Sequence, residues 1–272
     1  MPFLDNPHRY MPLLFVFRSG PLIASPADMR SETIDFISAY CDRWCERCAF
    51  TDRCSAFACD AAIAMCGDAA EGIELAVGRP RSPEGSSDAA DGGRYLEDFL
   101  NQAPSDEEMA EFRRLEDVRR ARVDASPISQ MARTFMSRAT EWIEGHRSLD
   151  QHADPIVREA FQIACWDAYF IYVKLCRALS GRDRRIQGEE GGDDHPVQND
   201  WNGSARVALI SIARSTDAWK ALGSALGDAS ATALGDGLGH LQGSVLNEFP
   251  KATEFRRPGF DDPAGGEYAF DS

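Results

Sequence analysis

The chain of 272 residues is poor in positive charge, has no long apolar run and shows no strand pattern. Lysine and arginine number 29 against 44 aspartates and glutamates, a net charge of −15. That field repels phosphate backbones and anionic membrane surfaces at long range, so neither nucleic acid nor a membrane is an expected partner. The most apolar stretch near the start, Met11–Phe17, is followed at once by Arg18 and is much shorter than the about 20 residues a spanning helix needs. As a secretion signal it is poor, because Asp5 stands where a positive n-region belongs, although the following "IASPA" is cleavage-like. A cytoplasmic location is expected, and Met29, which opens directly into patterned sequence, is an alternative start to Met1. No segment alternates apolar with polar residues and no strand–helix–strand rhythm appears, which excludes the β and α/β classes. No Walker-type or dinucleotide-binding glycine pattern is present, and "ALGDGLGHLQG" reads as a helix interrupted by glycines. A di-iron site in a helical bundle needs Glu-x-x-His twice. Glu141, Glu144 and His146 have the wrong spacing for it, and Asp236 with His240 is an isolated i,i+4 pair.

What is present is helical period, with 43% apolar and 10% aromatic residues to build a core. The expected fold is all-α, a bundle of about four long helices preceded by a cysteine-rich helical segment. Residues 1–25 read as an irregular arm, 26–77 as the cysteine-rich segment, 78–103 as a linker, 104–250 as the bundle and 251–272 as an irregular tail. The linker rests on "GRPRSPEGSSDAADGG", which is rich in Pro, Gly, Ser and Asp. Ser105 with Glu108 makes a capping box for a helix to about Asp124, whose "RRLEDVRRAR" reads as a solvated face. Ser126-Pro127 and Asp154-Pro155 each place an N-cap before a proline at the first helical position. Helices are expected near 127–147, 155–179, 204–222 and 228–249, with Ser180 to Asp200 a polar loop. The helix carrying "FQIACWDAYFIYVKLCRAL" is apolar almost all round and is expected to be the central, most buried one. Asp167, the only acid between Phe161 and Val173, must find a partner there, with Lys174, Arg206 and Arg214 as candidates.

Four of the eight cysteines fall within fourteen positions, as Cys41, Cys45, Cys48 and Cys54, spaced Cys-x3-Cys-x2-Cys-x5-Cys. In a reducing compartment such a group holds a metal more readily than it forms disulfides. Structural zinc sites usually unite two close pairs separated by a dozen or more residues. A four-iron four-sulfur cluster takes one thiolate per iron, which suits an uninterrupted wrap of four. The periodicity of Ile34, Ile37, Cys41, Trp44, Cys45 and Cys48 predicts a helix starting at Pro26 or Ser31. An unbroken helix would string Cys41 to Cys48 over about 10 Å, so this one is expected to end between Cys45 and Cys48, with "AFTDR" looping back to deliver Cys54. Cys59 and Cys66, on the Ala-rich helix that follows, are packing residues or spare ligands, and Cys165 and Cys176 are core.

"CERCAFTDRC" resembles the cluster knot of iron-sulfur RecB-type nucleases, and the same spacing occurs in auxiliary clusters of some radical enzymes. In those nucleases the cluster is structural and sits beside acidic motifs on a mixed sheet, a pattern this chain does not carry. The first three cysteines match the spacing of radical S-adenosylmethionine enzymes, but Arg47 stands where that family has an aromatic residue, and the motif follows a helix instead of a barrel strand. Radical chemistry is therefore not carried over. As a whole the chain resembles bacterial protein families with such a knot on a helical scaffold. The leading expectation is a four-iron four-sulfur cluster on Cys41, Cys45, Cys48 and Cys54; with all four irons protein-ligated it has no open site, which favours electron transfer, redox sensing or a structural role, with a redox or regulatory protein as partner. The alternatives are a zinc-stabilised helical interaction module and an enzyme with its active site in the bundle and a merely structural knot.

Overall fold

The computed structural model describes residues 33–77, 104–188 and 195–261, and within them the chain is all-α. The expected arm at 1–25, the linker at 78–103 and residues 262–272 of the expected tail lie outside the described residues. The first helices are α1 (Ser55–Cys66) and α2 (Ala69–Val77), joined through Gly67 in the left-handed region, φ 73°. Five long helices follow: α3 (Asp106–Ala125), α4 (Pro127–Gly145), α5 (Pro155–Gln187), α6 (Asp200–Leu226) and α7 (Ala229–Glu248). Their starts are set by side chains that take the amides a helix leaves free. Ser105 accepts the Glu108 amide while Glu108 takes the Ser105 amide at 2.8 Å, the capping box expected from the sequence. Asp154 accepts from the Ile156 amide and Asp228 from those of Ser230 and Ala231. Ser126 precedes Pro127 as expected but makes no side-chain cap.

Helix α5 packs on α6, α6 on α7, α7 on α4 and α4 on α5, closing a ring around one core, with α3 lying outside along α5 and α4. Trp219 is fully buried there, edge-on to Phe135 and Trp142 at 6.4 and 5.0 Å between ring centroids. Among the described residues no helix is long and apolar enough to cross a membrane.

Helices α5 and α6 run beyond the sequence reading, α5 at its end and α6 at both ends, to Asp200–Leu226. Helix α5 continues through "SGRDRRIQ" to Gln187 because α3 clasps it: Arg122 forks onto Asp183 at 2.9 and 2.6 Å, and Arg184 reaches Glu116 at 3.0 Å. The arginine-rich face of α3 is thus partly an interhelical contact, and its Arg119, paired with Glu116, is buried. Helix α6 begins at Asp200, capped by Asn199 accepting from the Asn202 amide at 2.9 Å. The most buried helix is also α6, with 14 of 27 residues buried against 12 of 33 in α5. Its Ala, Ser and Gly residues let neighbours close in from several sides, whereas α5 keeps Tyr169 and Val173 in solvent. Of the α5 residues expected inside, Phe161 is buried, and Ile163 and Phe170 are half-buried.

Candidate metal centre

Residues 33–54 hold no α-helix, in contrast to the periodicity of their sequence. Phe36 and Arg43 both adopt left-handed backbone, φ 59° in each, a conformation that halts a helix and costs about 1 kcal/mol per residue. Between and after them the chain makes three single 3₁₀ turns, Ile37–Ala39, Cys45–Arg47 and Thr51–Arg53. The Ile34 amide donates to the Arg53 carbonyl at 3.0 Å and ties the two ends together. The physical reason is reach. A rigid helix holds Cys41 and Cys48 about 10 Å apart, while successive tight turns wrap the chain around a point.

The turns bring all four cysteines together. Cys41, Cys45, Cys48 and Cys54 line one cavity of ≈ 20 Å³, walled by Ile37, Trp44, Phe57 and Phe260. Cys41 is buried and the others are half-buried. The Arg43 amide donates to the Cys41 sulfur at 3.4 Å, and the Phe50 amide donates to the Cys48 sulfur at 3.4 Å. Cys54 is the N-cap residue of α1 but makes no side-chain capping bond. Burial first, and then the neighbouring sulfurs of Cys41 and Cys54, push the Cys45 thiol up to about 11. Thiols this close resist ionising together, and a cation among them reverses the balance by neutralising their charge. Among the described residues no group of three or more His, Cys, Asp or Glu is arranged to hold a single metal ion.

The loop is docked on the face of α5 and α6. Trp44 stacks on Trp166 of α5, centroids 5.1 Å apart and planes 10° from parallel. Trp166 Nε1 donates to the Asp42 carbonyl at 2.9 Å, and Lys174 Nζ to the Ala39 carbonyl at 3.0 Å. Arg47 lies over the Trp44 ring and pairs with Glu159 and Gln162. Of the three candidate partners for Asp167, Arg214 of α6 is the one it meets: Nε and Nη2 bond the two carboxylate oxygens at 3.0 and 2.7 Å, while Nη1 bonds Asp42 at 2.6 Å. Burial pushes the Asp167 carboxyl up to about 6 despite that contact. Burial works the other way on Arg214, but its bonds to Asp167 hold the guanidinium more firmly protonated. The carboxyl governs the pair, because Asp167 is fully buried and Arg214 keeps 27% of its side chain in solvent.

Sequence reasoning missed the second wall of the site. The part of the expected irregular tail that is described packs firmly: Phe255 is buried against Tyr40 at 4.7 Å, and Phe260 meets Phe50 edge-on at 5.0 Å. The only signal was a pair of aromatic residues, Phe255 and Phe260, in a stretch without period. Cys59 and Cys66 do not line the cavity. Cys165 is exposed on the outer face of α5, contrary to its expected place in the core, whereas Cys176 is half-buried with its sulfur 4.0 Å from Ser129 Oγ. Glu141, Glu144, Asp236 and His240 are exposed. His146 stacks on Trp142 at the end of α4, its Nδ1 2.8 Å from the Trp142 carbonyl. No family model matches the chain, no curated protein matches it and no solved structure matches it.

Proposed function

We propose that this is an iron-sulfur protein holding a four-iron four-sulfur cluster on Cys41, Cys45, Cys48 and Cys54. The observation that carries the reading is one short loop whose four thiols line a single apolar-walled cavity, two of them already accepting backbone amides. A cluster takes one thiolate at each iron, and hydrogen bonds to those sulfurs, with burial, set its potential. The Trp44–Trp166 stack and Phe260 limit solvent and oxygen access. With every iron held by a protein thiolate, no coordination position is left for a substrate, which favours electron transfer, redox sensing or a structural role with a redox or regulatory protein as partner. The reading places the protein in the reducing cytoplasm.

A zinc-stabilised interaction module is the second reading: the cavity, ≈ 20 Å³, is nearer in size to one ion than to a cluster, although the ligands as placed do not form a single-ion group. Purification without oxygen, followed by iron, acid-labile sulfide and zinc analysis, separates the two. Iron and sulfide at about four each per chain, with a broad absorption at the blue edge of the visible, are expected. Stoichiometric zinc without iron rejects the cluster. Cys→Ser at any of the four positions should lose most of the iron and sulfide, since a hard oxygen replaces a soft thiolate. The same change at Cys59, Cys66, Cys165 or Cys176 should leave both in place.

A further inference from the structure

A second hollow lies directly outside the cysteine cavity. It is a cleft of ≈ 370 Å³ between the cysteine loop and the α5–α6 face, and Asp42, Trp44, Cys48 and Phe260 line both spaces. Hollows of this size hold small organic ligands. Its lining is of two kinds. Phe50, Phe260 and Ile163 are apolar, while Arg47 and Arg214 bring two guanidiniums to the Trp44 ring, 3.7 and 5.5 Å from its centroid.

Both guanidiniums are held in place before any ligand arrives, Arg47 by Glu159 and Gln162, Arg214 by Asp42 and Asp167. A guanidinium carries five N–H donors. Arg214 spends three of them and Arg47 two, so both keep N–H groups without a partner among the described residues. Pre-oriented guanidiniums with donors to spare suit a carboxylate, which accepts forked N–H contacts. Because Asp42 and Glu159 in the cleft and Asp167 behind Arg214 already more than balance the two positive charges, a small multivalent anion gains little there. A single carboxylate on an apolar body gains from both kinds of lining.

We propose that this cleft binds a small organic monocarboxylate with an aromatic or branched apolar body, its carboxylate on the unspent donors of Arg47 and Arg214 and its body against Phe50, Phe260 and Ile163. The site goes beyond the metal reading and does not depend on which metal the cysteines take. Because Cys48 belongs to both spaces, a ligand in the cleft lies against the wall of the metal centre.

The test is titration of the full chain with benzoate and phenylacetate, read by calorimetry and by tryptophan fluorescence, with benzamide and phenylacetamide as neutral controls. At least one acid should bind saturably, and its amide about tenfold or more weakly. Arg47→Gln should cost the acid about tenfold in affinity. Ala49→Glu, which adds a negative charge at an exposed position of the cleft lining, should weaken the acid and spare the amide. Arg138→Gln, in the separate hollow between α4 and α7, should change nothing. Absence of binding by both acids up to about 10 mM, equal binding of acid and amide, or a loss in Arg138→Gln matching that in Arg47→Gln would each overturn the proposal. Metal analysis of the same samples keeps the two readings apart. Iron-loaded protein that binds neither acid overturns the cleft and leaves the cluster, and zinc-only protein that binds an acid through Arg47 does the reverse.

Discussion

One arginine holds two carboxylates where the cysteine loop meets the helices. Arg214 bonds Asp42 on the loop and Asp167 on α5, and the second of these is fully buried. The folded state keeps a proton on Asp167 up to about 6, against an ordinary value of 3.8, with Arg214 and Asp42 as the charged groups facing it. Between those values the folded chain binds more protons than the unfolded one. The contribution of Asp167 to stability is therefore fully present below about 3.8 and is lost as the pH rises through about 6. Asp167→Asn removes that titration. Denaturant midpoints of both proteins, taken from about pH 4 to pH 7, should show the wild-type advantage shrinking up to about pH 6 and flat beyond it. A difference independent of pH would mean that Asp167 does not titrate in this window. The need for a partner was legible in the sequence, since a lone acid in an apolar stretch must be satisfied. That the partner also grips Asp42 was not, because nothing local marks Asp42 as different from any other exposed acid.

Helix α6 shows what small residues do for a whole element. Gly203 lies under the ring of Tyr40, and a Cβ added there would sit 2.3 Å from Tyr40 Cε1 and 2.7 Å from Phe255 Cζ. Gly203→Ala must push apart the contact that seats both the cysteine loop and the returning chain on α6. The strain, about 1–3 kcal/mol, outweighs the gain of up to about 1 kcal/mol that Ala brings to a helix interior. Gly237 of α7 has no atom within 4 Å of the same added carbon, so Gly237→Ala should keep that gain. Thermal unfolding should therefore place Gly203→Ala below the wild type and Gly237→Ala at or above it, and the reverse order would contradict the packing described. The starts of α3, α4, α5 and α7 were legible because their cap signals act over three or four residues, whereas that of α6 at Asp200 was not. The end of α5 was not, because the ion pairs that prolong it come from α3.

Among the described residues a helical core carries its own burial and the loop over 33–54 does not. Trp219, Phe249, Ile171 and Leu175, the largest fully buried side chains, all belong to the core, whereas within 33–54 only Ile37 and Cys41 are buried. On the proposed metal reading, a loop so poor in buried apolar surface relies on the bound metal and on the docking contacts to stay closed. Stripping the metal with a chelator under reducing conditions should leave far-UV circular dichroism nearly unchanged and open the loop to trypsin at Arg43, Arg47 and Arg53. Loss of helix in step with metal would show that loop and core unfold as one unit.

Read alone, the sequence determines that the chain is all-α, where α3, α4, α5 and α7 begin and that four cysteines form one close group. These follow from period, capping and spacing, which act between residues a few positions apart. The tertiary structure decides that residues 33–54 are turns instead of helix, that Arg214 and not Lys174 meets Asp167, and that Phe260 returns to close the site while Phe255 packs on Tyr40. Each of these joins positions remote in the chain, as Arg214 to Asp42 across 172 residues does. Such a contact leaves no periodic trace, because its partners are selected by burial and distance once the helices have packed.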